Sequence, residues 1–355
     1  MNVLMIGVDK TSVGGMLTVV ENYLNDEAFC NKTNLRYIPS VINSTVLKKI
    51  IFFIKSIFRI AFCIVCKKID IVHIHMAERT SVYREGLIAR LAKFLGCKVV
   101  IHMHGANIET WYNAQPPKVK RIAAYFMNAA DKMIVLGNNW VPFMEKVVNN
   151  KSKITVVYNA VPSVSSNLYS LKSKDVIFLG MLIQRKGIED LLRAFSCIKN
   201  EIPEDITLKL YGDDKNHNIK NLIERYNLVG RAEFCGWLTN EEKPSVLMKC
   251  ILNVLPSYNE GLPMTILETM AYGIPNISTN IAAIPELIND GVNGLLITPG
   301  DVESLKKALL DLLLNDEKRT LMSDNAYESI QGNFTVKKHL QNILDIYKEL
   351  IVDKK

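Results

Sequence analysis

Two common phosphate-binding motifs are missing from this 355-residue sequence. No Gly-x-Gly-x-x-Gly follows an apolar run, and Gly-x-x-x-x-Gly-Lys-Ser/Thr does not occur, which weakens dehydrogenase and P-loop ATPase interpretations. Asp-x-Asp is absent too, so no obvious carboxylate pair is available to hold Mg²⁺ or Mn²⁺ against a diphosphate. Any bound diphosphate must therefore be neutralised by cationic side chains and backbone amides.

Cysteine is scarce as well. The seven cysteines are odd in number and scattered, unlike the dense pattern of a disulfide-stapled secreted domain. Cys63 and Cys66 form one Cys-x-x-Cys, but no second pair lies at zinc spacing, so buried thiols are expected. The sequence starts with an apolar run from Asn2 to Gly7 and shows no basic start or small-residue cleavage site. These features predict a reduced, cytoplasmic setting.

Composition sets the broad class of the protein. Apolar residues make up 48% and charged residues 22% of the chain, as in ordinary globular proteins, and the length predicts two domains. The formal net charge of +7 could suit nucleic acid, anionic lipid or phosphorylated substrates. No nucleic-acid-binding motif is present, and the densest cationic cluster lies in an apolar helix, so we do not expect a nucleic-acid partner.

Short apolar runs alternate with helical stretches along both halves. The runs are residues 3–6, 69–75, 98–104, 132–136 and 154–157, and then 176–180, 207–211, 232–236, 251–255 and 275–278. Runs that are apolar on both faces and separated by helices predict a parallel sheet covered on each side. We therefore expect two doubly wound α/β domains that bind ligands beyond the carboxyl ends of their strands.

A polar, serine-rich stretch separates the two halves. It ends at Lys174, and the strand pattern restarts at Val176. The expected divisions are an N-terminal, acceptor-binding domain over residues 1–163, a C-terminal, donor-binding domain over 164–335 and an amphipathic helix over 336–355. We expect that final helix to pack back toward the N-terminal domain.

The most informative segment extends from Pro256 to Gly273, where a strand end, a loop and a helix follow one another. Pro263 suits the first helical turn and Gly273 suits the stop. The unpaired amides at such a helix start can seat a phosphate. Gly261, Leu262 and Pro263 are therefore expected donor-binding residues.

Two glutamates flank this helix start. Glu260 precedes it, and Glu268 lies about two turns along, so one carboxylate can meet a sugar while the other accepts ribose hydroxyls. This stretch resembles the Glu-x7-Glu signature of glycosyltransferase family 4, and the match continues through 281–286 to 293–296. The resemblance implies the GT-B fold, in which two Rossmann-like domains face a cleft. It also implies a retaining, metal-independent transfer from a nucleotide-sugar, with no cofactor.

Two adjacent cations lie in the strand-to-helix turn that follows Gly180. Because negative charge grows on a departing diphosphate, cations here would stabilise the transition state. Lys186 matches the diphosphate lysine of the family. Met181 stands where the family often carries arginine, and we expect Arg185 to supply that phosphate contact. The alternative is that Arg185 and Lys186 merely lie on an exposed turn.

Further donor contacts are expected at glycine-rich positions. Gly14 and Gly15 follow the first strand, where missing side chains allow close approach of a ligand. The resemblance implies that they approach the diphosphate and the transferred sugar from across the cleft. Trp237, which follows Gly236, is expected to border the nucleotide base.

Four of the six histidines form two His-x-His pairs at strand ends, His73 with His75 and His102 with His104. Strand alternation turns each pair toward one face. Because no carboxylate or cysteine lies beside them at ligand spacing, we expect hydrogen-bonded histidines and no metal site, with a zinc cluster as the alternative. The resemblance implies that His104 contacts the donor sugar, and His75 is assigned to the acceptor.

The resemblance also implies a mechanism. Retention proceeds through a covalent glycosyl-enzyme or by attack on the face from which the diphosphate departs, and the second route is usually assumed for the family. On that route the phosphate oxygen takes the acceptor proton, while Glu260 and His104 orient and stabilise the reacting groups.

We predict a hexosyltransferase of cell-surface polysaccharide synthesis. It would use a UDP-sugar, with a GDP-sugar as the alternative, and a glycan or lipid-linked acceptor. Two rival interpretations remain open: a sugar-nucleotide epimerase of the same fold, and a catalytically silent subunit that binds another glycosyltransferase.

Residues 46–68 form a predicted helix with six cations and no acid. Lys48, Lys55 and Arg59 interrupt its apolar run, so it is a poor candidate for spanning a bilayer. It is either a core helix with a wet edge or an interfacial helix. The second alternative would suit a lipid-linked acceptor and a cytoplasmic enzyme peripheral to the inner face of an anionic membrane.

Overall fold

The computed structural model describes residues 1–12, 14–215 and 218–352. They form two compact units, one made of Met1–Asn159 and the segment that begins at Val336, the other of Ala160–Thr335. Each unit contains a six-stranded sheet with helices around it, and all strand pairings within the two sheets are parallel. The predicted fold class, two doubly wound parallel-sheet domains, is confirmed.

The sheet of the first unit has the strand order β2-β1-β3-β4-β5-β6. Its strands are β1 (Val3–Val8), β2 (Arg36–Val41), β3 (Ile71–Met76), β4 (Lys98–Met103), β5 (Lys132–Val135) and β6 (Ile154–Val156). The helices between them are α1 (Gly15–Leu24), α2 (Glu27–Thr33), α3 (Val46–Cys66), α4 (Thr80–Phe94), α5 (Ile108–Asn113), α6 (Pro117–Met127) and α7 (Val141–Val147). Because the chain adds β2 on one side of β1 and β3 on the other, the strand order reverses between β1 and β3. Loops at such a point commonly bind ligands.

The sheet of the second unit has the order β12-β11-β10-β7-β8-β9. Its strands are β7 (Asp175–Leu179), β8 (Thr207–Tyr211), β9 (Ala232–Gly236), β10 (Cys250–Leu255), β11 (Asn276–Thr279) and β12 (Gly294–Ile297). Its helices are α8 (Ile188–Ile198), α9 (Ile219–Arg225), α10 (Lys243–Leu247), α11 (Met264–Ala271), α12 (Val302–Leu313) and α13 (Asp316–Asn333). Here the reversal lies between β7 and β10, whose following loops carry the informative sequence segments.

The C-terminal helix α14 (Val336–Val352) belongs to the first unit. Two buried polar side chains attach it there. His339 pairs with the Tyr23 hydroxyl at 2.6 Å and with the Tyr158 carbonyl at 2.7 Å, and the Tyr347 hydroxyl lies 2.5 Å from Nδ1 of His73. Its apolar side chains, among them Ile343, are buried, as the helical spacing predicts.

Helix α3 buries one face and leaves an apolar stripe exposed. Ser56, Ile60, Cys63 and Ile64 are buried. Exposed apolar residues recur every three or four positions and so share one side of the helix: Leu47, Ile51, Ile54, Phe58, Phe62 and Val65. Packing of α3 in the core therefore explains its buried face but not its exposed apolar stripe. Within the described residues, no helix combines the length and apolarity needed to cross a bilayer.

Candidate functional site

The loops after β7 and β10 meet at the carboxyl end of the second sheet. Gly187 ends the β7 loop in a left-handed conformation, with φ 71°, and a Cβ on it would lie 2.0 Å from the carbonyl oxygen of Pro256. Only glycine allows this approach of the two loops. The amide of Tyr258 also donates to the carbonyl of Arg185 at 2.9 Å. The backbone itself thus brings the basic turn against the acidic loop.

Lys186 and Glu260 form the central contact between these loops. Nζ of Lys186 donates to Oε1 of Glu260 at 2.5 Å, and the Ser257 hydroxyl donates to the same oxygen at 2.7 Å. Glu260 is only 6% exposed, so its carboxylate is held by charge and hydrogen bonding in a desolvated position. The sequence singled out Lys186 and Glu260 but not Ser257, a third loop residue that restricts the carboxylate.

Arg185 holds the acidic loop as well. One terminal nitrogen of its guanidinium donates to the carbonyl of Asn259 at 2.6 Å. A guanidinium has five N–H donors. At least one of them is used within the loop. Met181, at the start of the loop after β7 that carries Arg185, is partly buried.

The helix that follows the acidic loop ends before Gly273, as the sequence predicts, but it starts one residue after Pro263, which the sequence placed in the first turn. Pro263 is the N-cap of α11, and Gly273 follows its C-terminal end with φ 73°. The Thr265 hydroxyl, in the first turn, is buried and has no hydrogen-bond partner among the described residues. A buried hydroxyl without a partner at the positive end of a helix is a ready donor to an anionic ligand.

Glu268 lies on α11 and is paired with a lysine that the sequence did not single out. Nζ of Lys243, the first residue of α10, donates to Oε1 of Glu268 at 2.7 Å. Burial raises the pKa of Glu268, and the charge and hydrogen bond of Lys243 oppose that effect. Because 25 residues separate the two and no local motif joins them, sequence spacing offers no signal for this pair.

Trp237 follows β9, at the same end of the sheet. Its side chain is 50% exposed, and Gly236 just before it has φ 76°. An aromatic side chain half open to solvent at the carboxyl end of a strand can stack on a planar ligand.

In the first unit, the glycines after β1 open helix α1. Gly14 is the N-cap, with φ 132°, and the helix begins at Gly15. A Cβ on Gly14 would meet nothing within 4 Å, so backbone conformation and not crowding favours glycine there. The start of this helix has no side-chain cap, so its first amides are not paired with a capping side chain.

His75 and His104 are brought together at the ends of β3 and β4. Nδ1 of His75 lies 2.8 Å from Nε2 of His104, so one ring donates to the other. Burial, and to a smaller extent the nearby His339, lowers the pKa of His104 to about 3. At neutral pH His104 is an uncharged hydrogen-bonding group rather than a cation.

Comparison with known proteins identifies relatives of both units. The family model described as Glycosyltransferase Family 4 matches residues 20–163, and the model described as Glycosyl transferases group 1 matches residues 164–329. An uncharacterized glycosyltransferase of Methanocaldococcus jannaschii is 27% identical over 370 residues, covering 99% of each chain. The UDP-Gal:alpha-D-GlcNAc-diphosphoundecaprenol alpha-1,3-galactosyltransferase of Escherichia coli is 27% identical over 81% of this chain and 77% of its own.

A solved structure shows the same architecture. Anabaena HepE in complex with UDP matches with a TM-score of 0.76 at 18% identity, covering 98% of this chain and 100% of that chain. At this identity the likeness establishes the fold alone.

Proposed function

The chain belongs to the glycosyltransferases of family 4, and from this premise we propose that it is a retaining hexosyltransferase that needs no metal at the diphosphate. The proposed donor is a UDP-sugar, with a GDP-sugar as the alternative. The acceptor is a glycan or a lipid-linked sugar in cell-surface polysaccharide synthesis. The observation that carries the proposal is the contact of Lys186 with the buried Glu260 beside the start of α11.

Lys186 binds the diphosphate in this proposal. Its ammonium has three N–H donors, of which one is directed at Glu260, so others remain for phosphate oxygens. The Gly261 amide, the amides in the first turn of α11 after Pro263 and the buried Thr265 hydroxyl supply further donors. Arg185 uses its remaining donors on the same group. Because charge on the diphosphate grows as the glycosidic bond breaks, these groups stabilise the transition state more than the bound donor.

Glu260 orients the sugar and stabilises positive charge at its anomeric carbon. Ser257 and Lys186 both donate to Oε1, which fixes the carboxylate against rotation. An ionised carboxylate in this position favours oxocarbenium character. The acceptor attacks from the face that the diphosphate leaves, and a phosphate oxygen takes the acceptor proton. No strong protein base is then required.

The remaining candidate residues have binding roles. Glu268 accepts hydrogen bonds from ribose hydroxyls, with Lys243 opposing the effect of burial on its pKa, and Trp237 borders the base. Gly14 and Gly15 admit the donor diphosphate close to the backbone of α1. His104, neutral and in contact with His75, hydrogen-bonds the donor sugar. His75 is buried, and its role on the acceptor side is to position His104.

A lipid-linked acceptor accords with the surface of α3. The relative from Escherichia coli is named for a UDP-Gal donor and a diphosphoundecaprenol-linked acceptor. In this chain the exposed apolar stripe of α3 is flanked by the exposed cations Lys48, Lys55 and Arg59. An apolar stripe beside cations suits the interface of an anionic bilayer. We infer peripheral binding to the inner face of the cell membrane, where a polyprenyl-diphosphate acceptor would be reached.

The test is a thermal-shift panel of UDP- and GDP-sugars, followed by product analysis with the sugar that binds. Ligands that bind only the folded state raise the unfolding temperature according to their affinity. We expect one UDP-sugar to stabilise the protein and its sugar to appear in an α-linked product when the donor is an α-linked nucleotide-sugar. A β-linked product would exclude retention.

The same experiment separates the rival interpretations. Conversion of the nucleotide-sugar into its epimer, in the absence of an acceptor, would identify an epimerase. Failure of every nucleotide-sugar to stabilise the protein, combined with stabilisation by another glycosyltransferase, would identify a silent subunit.

A further inference from the structure

Three buried histidines lie on one face of neighbouring strands in the first unit. His73 and His75 are two residues apart on β3, and His75 is directly opposite His102 on β4. All three side chains are buried. One ring nitrogen from each lies within 4.8 Å of the other two. The sheet itself therefore assembles the group, because strand alternation points these side chains the same way.

The nitrogens of this group are left without hydrogen-bond partners. Nε2 of His73, Nε2 of His75 and both ring nitrogens of His102 are buried and find no partner among the described residues. Buried polar atoms are nearly always paired, so four unpaired nitrogens in one cluster require an explanation. The sequence led us to expect ordinary hydrogen-bonded histidines here, and this arrangement departs from that expectation.

The other ring nitrogen, Nδ1, of both His73 and His75 has a hydrogen-bond partner. Nδ1 of His73 lies 2.5 Å from the Tyr347 hydroxyl, and Nδ1 of His75 lies 2.8 Å from Nε2 of His104. A histidine that binds a metal through Nε2 donates its Nδ1–H to a neighbouring acceptor, which fixes the tautomer and the ring orientation. His73 and His75 each have such an acceptor, and their free Nε2 atoms are the nitrogens that a metal would take.

We propose that His73, His75 and His102 bind one divalent transition-metal ion of the Zn²⁺ type. Three imidazoles with an open fourth position are an established zinc ligand set, at about 2.0–2.1 Å per Zn–N bond.

Metal binding would also determine the proton position on His104. With Nε2 of His75 bound to the ion, Nδ1 of His75 must carry hydrogen and donate to Nε2 of His104. His104 then keeps its own proton on Nδ1 and offers that atom as a donor. The ion would thus be a positioning element behind His104 rather than a reacting group.

The full chain, stripped with EDTA and dialysed, should be titrated with Zn²⁺ and with Co²⁺, following bound metal per chain and the visible Co²⁺ spectrum. We expect about one ion per chain. His102→Phe keeps the ring shape and gives up no hydrogen bond seen in the structure, and His73→Asn retains a donor at the Nδ1 position. Each should weaken metal binding at least about tenfold.

The matched control is Cys66→Ser, which removes the exposed thiol of the Cys63-x-x-Cys66 pair, the competing metal-binding pattern in the sequence. It should bind metal as the unmodified protein does. Cooperative unfolding in EDTA checks that each variant folds, and His73→Asn carries the test if His102→Phe does not fold. Absence of stoichiometric binding by the unmodified protein, or equal binding by the folded histidine variants, would overturn the proposal.

Discussion

Nζ of Lys186 lies 2.5 Å from Oε1 of Glu260, which joins two loops 74 residues apart in the chain. Their side chains are only 14% and 7% exposed, respectively. In such a setting the loss of one partner leaves the other charge uncompensated as well as removing the contact. Single substitutions therefore change both the proposed chemistry and the structure around it, and the two effects have to be measured separately.

Lys186→Met should lower kcat about 100- to 1,000-fold, because a cation aimed at the leaving diphosphate acts mainly in the transition state. Steady-state transfer assays measure this loss. Lys209→Met is the matched control, since Lys209 on β8 also pairs with a glutamate, Glu233, at 2.6 Å, but this glutamate is 62% exposed. The control should stay within about twofold of the unmodified rate. An unchanged kcat in a folded Lys186 variant would contradict the proposed role.

Stability of the same pair is examined with a double-mutant cycle. Glu260→Gln added to Lys186→Met should restore part of the stability that the lysine variant loses, because the buried charge is removed with its partner. Chemical denaturation of the four proteins measures the coupling. Additive losses would mean that the two side chains do not interact in solution.

Gly187→Ala should destabilise the protein more than Gly230→Ala. Both glycines have positive φ, 71° and 80°, so each alanine carries a backbone cost of about 1–2 kcal/mol. Only at Gly187 would the new Cβ also collide with the backbone, 2.0 Å from the Pro256 oxygen, whereas Gly230 has nothing within 4 Å. We expect the free energy of unfolding to fall further for Gly187→Ala, and donor affinity to fall with it because Lys186 is displaced. Equal losses in the two variants would argue against the close loop contact.

Much of the fold is readable from the sequence because its central strands and helices are locally consistent. The expected range for β8, residues 207–211, and the expected start of the C-terminal helix at residue 336 coincide with those observed. The sequence did not predict the edge strands β2 and β12, which lie opposite β6 and β9 in their sheets. β2 contains Pro39 and is only half-buried, and β12 is a four-residue strand that begins with a glycine, so neither shows a long apolar run.

Some residues of the candidate site could likewise be recognised from the sequence, and others could not. Lys186 and Glu260 could be recognised because loops after neighbouring parallel strands meet at one edge. The partner of Glu268, Lys243, could not, since it comes from a five-residue helix whose placement is decided by tertiary packing. The same is true of the unpaired histidine nitrogens, which depend on ring orientations and not on spacing.

Glu268→Gln should weaken donor binding while changing kcat less. A neutral amide accepts hydrogen bonds from ribose hydroxyls more weakly than a carboxylate, and ribose binding is nearly equal in the ground and transition states. We expect KM for the nucleotide-sugar to rise about tenfold, which corresponds to about 1.4 kcal/mol. Glu233→Gln, an exposed glutamate paired with a lysine in the same unit, is the control and should leave KM unchanged. A fall in kcat with unchanged KM would place Glu268 in the chemical step instead.

Stability should depend on pH through Glu85. Burial raises the pKa of this carboxyl, although Arg84 and the hydroxyls of Ser40 and Ser81 act in the opposite direction. Because the folded-state pKa lies above the unfolded-state value, the folded protein binds more protons in that interval, and the free energy of unfolding falls as pH rises through it. Glu85→Gln removes this titration.

The Glu85→Gln variant should therefore gain stability relative to the unmodified protein between pH 4 and pH 7, by about 1.4 kcal/mol for each unit by which the pKa is raised. Urea denaturation at both pH values gives the difference. A relative stability that is constant or declines with pH would show that the charge of Glu85 is fully compensated in the folded state.

Membrane binding is expected to depend on the exposed stripe of α3. Phe58 and Phe62 are 72% and 67% exposed, so replacing both with aspartate should change the free energy of unfolding by no more than about 0.5 kcal/mol per site. The same change would place two anions in the surface that meets an anionic bilayer. In flotation with vesicles rich in anionic lipid, the unmodified protein should rise with the vesicles and the double variant should not.

Leu321→Asp provides the control for that experiment, since Leu321 is 64% exposed but lies on α13 of the second unit. It should float like the unmodified protein. Raising the salt concentration should weaken flotation, because the cations beside the stripe act through a screened interaction, whereas an apolar contact alone would be little affected. If the double variant floats as well as the control at low salt, α3 is not the membrane-binding surface, and the lipid-linked acceptor must then be reached in another way.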